Sequence, residues 1–217
     1  MSRHTIIRWA DKPEIDWTGQ TAIIVASGPS AAGTDFDLLV GHRVIAINRS
    51  WELVPWADVL FGMDGQFWHH HQGVPTFGGR KVTASNLAAQ AFGLDLLFSP
   101  SGNNSGVRAL YLAEAYGVTR ALLVGFDMHP KAGVHWHEKH GGVTHNPGVP
   151  EMRQWRAEMD RIAPVLAKRG MTVINCTPGS ALTCFPKMSL REALDAGVQD
   201  RAVGSRSQVD ADCAGTG

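Results

Sequence analysis

The chain has 217 residues, of which 44% are hydrophobic and 18% charged, with 20 basic and 20 acidic side chains. That length buries one substantial core, and the zero formal charge leaves no basic excess to neutralise a run of phosphates, so non-specific nucleic-acid binding is not expected. The three cysteines, Cys176, Cys184 and Cys213, are odd in number and lack CxxC spacing; this argues against a disulfide framework and for a reducing compartment.

No apolar run reaches the ~20 residues of a membrane span. The opening Met1-Ser2-Arg3-His4 leads into Trp9, Asp11 and Glu14 and does not read as a secretory signal, so a cytoplasmic location is the expectation. Residues 1–20 read as a lead-in. Thr21 to Ala26 is then a continuous apolar run, as suits a strand buried on both faces of a parallel sheet. Further strands are expected at Arg43–Ile47 and Asp58–Phe61, with weaker ones at Lys81–Thr83 and Asp95–Phe98.

Ser105 to Tyr116 reads as a helix, with Val107, Leu110, Tyr111 and Ala115 near one face and Gly117 as its stop. Ala121–Val124 is another strand. Residues 129–150 are rich in Gly, His and Pro and poor in apolar residues, and read as a long functional or mobile loop. Glu151 to Lys168 is expected to be helical, with Met152, Trp155, Met159, Ile162 and Leu166 at core spacing and Pro164 as a potential kink. Met171–Ile174 returns to the sheet, and Ser189 can cap a last short helix. Residues 1–195 thus form one α/β domain, a doubly wound, Rossmann-like and mostly parallel sheet with helices on both faces; 196–217 is a polar, flexible tail.

Ligands of such sheets sit outside the carboxyl ends of the strands, which makes the residues after each strand the ones to read. Ser27-Gly28-Pro29-Ser30 follows the first core strand. Gly28 offers close approach and positive φ, and the free N–H groups and hydroxyls of Ser27 and Ser30 suit a phosphate; the plain alternative is a tight strand-to-helix turn. It is neither a Walker loop nor the three-glycine dinucleotide fingerprint.

Asn48 follows the second strand and offers donor and acceptor together, although an Asn satisfying a turn is the commoner case. Asp64 follows the third. It suits ribose hydroxyls or a divalent ion, or else an N-cap for a helix from Gly65. Asn104-Ser105-Gly106 opens a helix on the same side, where Asn104 or Ser105 either caps the helix or holds a polar ligand group. Asp127 is another acid at a strand end.

This loop, 129–150, holds His135, Trp136, His137, His140 and His145. It has no HExxH or zinc-ribbon spacing, so no metal ligands are assigned; a loop histidine there is a ready general base. His69-His70-His71 reads as a solvated helix face.

Together, Ile24 to Ser30, Asn48, Asn104 to Val107, Val124 to Asp127 and His145 before a helix resemble the bacterial α-2,3-sialyltransferase family that includes the Campylobacter enzymes, with related proteins of tailed phages. The resemblance runs from about Thr21 to Leu194. It implies a nucleotide domain for a CMP-linked sugar under a lid. Ser27, Gly28 and Ser30 would line the pocket, with Ser27 where the family has Asn. Asn48, Ser105 and Gly106 would contact the nucleotide, Asp64 falls within a residue of the position where the family has another pocket Asn, and His145 would deprotonate the acceptor. The family's two lid tyrosines are replaced here by His135, Trp136 and His137; the chain's tyrosines are Tyr111 and Tyr116.

The expected activity is transfer of a sugar from a nucleotide-activated donor to a hydroxyl acceptor. His137 or His135 would stabilise the leaving phosphate, with no cofactor required and a divalent Mg or Mn ion compatible; a homo-oligomer is compatible too. Two rivals stand beside it. One is Mg-dependent pyrophosphoryl transfer resembling archaeal pterin diphosphokinases, with Asp64 and Asp127 on the metal. The other is a non-catalytic phage assembly or interaction module.

Overall fold

The structure is a computed structural model that describes residues 5–9, 15–100, 102–129, 136 and 148–196. The described strands are β1 (Ile6–Arg8), β2 (Thr21–Val25), β3 (Arg43–Ile47), β4 (Val59–Gly62), β5 (Arg80–Thr83), β6 (Asp95–Phe98), β7 (Arg120–Val124) and β8 (Thr172–Asn175). They form one sheet in the order β1-β6-β5-β4-β3-β2-β7-β8, and every pairing is parallel.

The central strands are the apolar runs of the sequence. All five residues of β2 are buried. Alternate side chains enter two cores: Ala22 and Ile24 point to one face, Ile23 and Val25 to the other. The first face is covered by α3 (Ser105–Ala115) and α4 (Val149–Lys168). The second is covered by α1 (Gly65–His70), α2 (Asn86–Phe92) and the helical stretch 190–196, through Phe67, Trp68, Ala88, Ala193, Leu190 and Leu194. This is the α/β, doubly wound, Rossmann-like architecture expected from the alternation of strands and helices.

Three local expectations are corrected. The lead-in contains an edge strand, β1, whose register is Ile6 to Leu96 and Arg8 to Phe98. Only Ile7 of its three residues is buried, which is too little periodicity to announce a strand. Helices α1 and α2 are six and seven residues long and left almost no pattern of their own. Helix α3 is buried nearly all round rather than along one stripe: eight of its eleven residues are buried, because it lies between the sheet and α4.

Pro164 lies inside α4 on the exposed side, where the missing N–H faces water. Ser189 does cap the last helix: its Oγ accepts from the Glu192 N–H at 3.3 Å while the Glu192 carboxylate accepts from the Ser189 N–H at 3.1 Å.

The topology fixes where a site can lie. From β2 the chain steps through β3, β4, β5 and β6 in one direction, then returns to place β7 on the other side of β2. The crossovers diverge between β2 and β7, so the carboxyl ends of those two strands are the topological switch point, where open α/β sheets characteristically form a ligand crevice.

Candidate functional site

The segments after β2 and β7 meet at the crevice, and glycine makes this meeting sterically feasible. A Cβ on Gly28 would overlap the Asp127 carboxylate and the Gly125 carbonyl. The expectation of positive φ at Gly28 is corrected: its φ is −63°, and Gly125 across the crevice takes φ +75° instead. Gly28 is therefore needed for space and Gly125 for both conformation and space, since a Cβ there would overlap Ala26 O.

The Gly28 N–H donates to Gly125 O at 2.9 Å. Asp127, 5% exposed, accepts from the Ser30 hydroxyl at 2.8 Å and lies 3.3 Å from the Ser30 N. Behind it, the segment after β8 holds the β7 turn in place. Thr177 Oγ1 accepts from the Phe126 N–H at 2.9 Å, Ser180 Oγ donates to Phe126 O at 2.6 Å, and the Ala181 N–H donates to Asp127 O at 2.8 Å. Met128 follows with φ +58°, its carbonyl held by Arg156 of α4 at 2.7 Å.

Ser27 ties this turn to the next strand end. Its Oγ lies 3.4 Å from Ile47 O and 3.2 Å from the buried Ser50 Oγ. Asn48 opens the 3-10 turn Asn48–Glu52 with φ +49°, a conformation that Asn tolerates better than most residues. Its Oδ1 is buried and has no hydrogen-bond partner among the described residues. The same holds for Trp51 Nε1, one 3-10 turn further on.

Arg49 is held in a two-point pair by Glu52, at 2.6 and 2.8 Å, and this bonding raises its pKa. The Arg49 guanidinium also lies 5.9 Å from the ring centre of Trp136, and the Trp136 N–H donates to Ser27 O at 3.1 Å. One lid residue thus rests on the first two strand ends. The remaining lid residues 130–135 and 137–147, with the candidate catalytic His135, His137 and His145, lie outside the described residues.

Asp64 stands at the N-cap position of α1 but accepts no capping hydrogen bond. Water displaced by the surrounding protein raises its pKa, and the positive charge of Arg108 on α3 opposes that rise. At the start of α3 the capping alternative describes Asn104: its Oδ1 accepts from Gly106 N–H at 2.6 Å and Val107 N–H at 3.2 Å. Gly106 lets the helix approach β7, because a Cβ there would come within 2.6 Å of the Phe126 ring. The buried Glu158 of α4 completes this corner by accepting from the Asn103 N–H at 3.2 Å.

Ser27, Gly28, Ser30, Asn48, Asp64 and Asp127 therefore follow the carboxyl ends of four adjacent strands, β7, β2, β3 and β4, and Asn104, Ser105 and Gly106 open α3, which packs at Gly106 against Phe126. Sequence reasoning missed Arg49, Ser50, Arg108, Arg156 and Glu158. Of these only Arg49 carried a usable signal, by directly following Asn48. Among the described residues no group of three or more His, Cys, Asp or Glu is placed to hold a metal ion, and no helix is long and apolar enough to cross a membrane.

No protein-family model and no curated protein matches the sequence. Solved structures do. The sialyltransferase CstII from Campylobacter jejuni in complex with cytidine-5'-monophosphate superimposes with a TM-score of 0.57 at 14% identity, over 79% of this chain and 86% of that one. CstII with CMP-3FNeuAc gives 0.52, again at 14% identity, over 78% and 86%. The chain has a sialyltransferase-like fold.

Proposed function

We propose that this chain is a glycosyltransferase that moves a sugar from a nucleotide-activated donor, CMP-linked, to a hydroxyl acceptor. The observation that carries the reading is Asn48: a strained backbone at the carboxyl end of a central strand, holding a buried side-chain oxygen that no group among the described residues satisfies. Such an oxygen costs roughly 1–3 kcal/mol while unpaired, and a ligand amine or hydroxyl recovers that cost. It stands in a fold shared with an enzyme solved with CMP and with CMP-3FNeuAc.

In this reading Ser27, Gly28, Asn48 and the start of α3 around Ser105 hold the nucleotide. The acceptor oxygen attacks the anomeric carbon as the bond from that carbon to the phosphate oxygen breaks, and CMP leaves. His145 takes the acceptor proton, and His137 or His135 donates to the leaving phosphate. A divalent ion is compatible with the scheme without being required.

Thermal stabilisation by CMP, CDP, UDP and ATP, each with and without Mg²⁺, tests the reading. CMP alone should stabilise. A response confined to ATP with Mg²⁺ would favour pyrophosphoryl transfer, and no response at all would favour a binding or assembly role. With a working donor and acceptor, His145→Ala should lower turnover by roughly 10²–10⁴-fold with nucleotide affinity nearly unchanged.

A further inference from the structure

The turn Ser27–Ser30 has the composition of an anion seat, but from Gly28 onward its donors are spoken for. The Gly28 N–H goes to Gly125 O at 2.9 Å, Pro29 has none, and the Ala31 N–H goes to Gly28 O at 3.0 Å. The Ser30 N–H and hydroxyl both face the Asp127 carboxylate, at 3.3 and 2.8 Å. That carboxylate is nearly sealed from solvent, and the segment after β8 fixes its backbone. Where a phosphate-binding turn would present such donors to a ligand, this one turns the Gly28 and Ala31 N–H groups to backbone carbonyls and the Ser30 N–H and hydroxyl to its own acid.

We infer that Asp127 is a positioning residue that occupies the anion seat of the Ser27–Ser30 turn, so that the turn meets the nucleoside part of the ligand and the phosphate binds elsewhere. The inference rests on the proposed nucleotide site and deepens it. A buried carboxylate beside Gly28 repels a phosphate placed at the turn, because charges interact strongly where water is excluded. It leaves the neutral faces of the turn, the Gly28 backbone and Ser27, next to the unpaired Asn48 oxygen. The site then discriminates against ligands that need a phosphate cradle after β2, such as nucleoside triphosphates.

Titration calorimetry of the full chain with cytidine and with CMP tests this. Ser30→Ala should weaken both ligands by the same factor, since Ser30 acts only through the shape of the turn. Asp127→Asn keeps an acceptor for the Ser30 hydroxyl but removes the charge, so the ratio of CMP to cytidine affinity should rise several-fold, and less so at high salt. A purely structural Asp127 would leave that ratio unmoved, which would overturn the inference. So would a tenfold or greater loss of CMP in Ser30→Ala with cytidine unaffected. If the wild-type chain binds neither ligand, the proposed function fails on its own account. The clasp is then read from thermal unfolding of Ser30→Ala, Asp127→Ala and the double variant. The double variant should lose no more than the worse single one, and additive losses would remove the clasp.

Discussion

The turns after β2 and β3 lie side by side and are built on opposite principles. In the first, every donor from Gly28 to Ala31 is matched within the protein, the backbone is relaxed, and Gly28 is packed against Asp127 and Gly125. In the second, Asn48 has φ +49° and a buried oxygen with no partner among the described residues. Folding alone accounts for the first arrangement. It does not account for the second, because strain and an unsatisfied acceptor both work against the folded state. Under the proposed function the contrast separates a scaffold from a recognition element, and substitutions at the two turns should behave differently.

The largest effect is expected at the saturated turn. Gly28→Val forces a branched side chain into the Asp127 carboxylate, and overpacking of this kind costs roughly 1–3 kcal/mol. Urea unfolding should show that loss, together with the disappearance of nucleotide binding. Full stability with unchanged binding would mean that the crevice is looser than its contacts indicate. The start of α3 belongs with the saturated group: Asn104→Ala releases the Gly106 and Val107 N–H groups and should cost roughly 1–2 kcal/mol in the same experiment.

The unsatisfied turn should show the reverse pattern. Asn48→Gly relieves the positive φ and removes the orphan oxygen, so stability should hold or rise slightly while nucleotide affinity falls about tenfold. A stability loss above about 1 kcal/mol would place Asn48 in the scaffold and erase the contrast.

The smallest effect concerns the thiols on the scaffold side. Burial pushes both Cys176 and Cys184 up to about 11. Because the folded values lie above the unfolded thiol value, their contribution to stability is complete below roughly pH 8.5 and is lost as pH rises towards 11. Stability should therefore be flat around neutrality and fall in that alkaline window, with both thiols slow to alkylate at pH 8. Rapid alkylation would show that the region after β8 opens readily.

Much of this was legible from the chain. Continuous apolar runs mark β2, β3 and β7, and their carboxyl ends point to Ser27, Asn48 and Asp127. What stayed hidden depends on distance or on unmet need. Ser30 and Asp127 are 97 positions apart, and nothing local couples them. Glu158 reads as a solvent-facing acid on an amphipathic helix until Asn103 is seen against it. Glycine at 28 announces freedom of conformation, but the structure uses its lack of volume. The strain at Asn48 had only a faint cue, the tolerance of Asn for left-handed backbone.

The 97-residue separation between Ser30 and Asp127 also has a consequence for how the molecule comes to exist. β2 to β6 are joined by neighbour-to-neighbour connections, whereas β7 returns to β2 across the whole intervening chain. Contacts closing so long a loop carry the largest entropic toll and form slowly. On the ribosome, a chain still short of residue 127 has the residues of β2 to β6 and Asn48 but lacks the acid that fills the first turn. The vacant anion seat then belongs to the nascent chain, and the finished protein closes it from within.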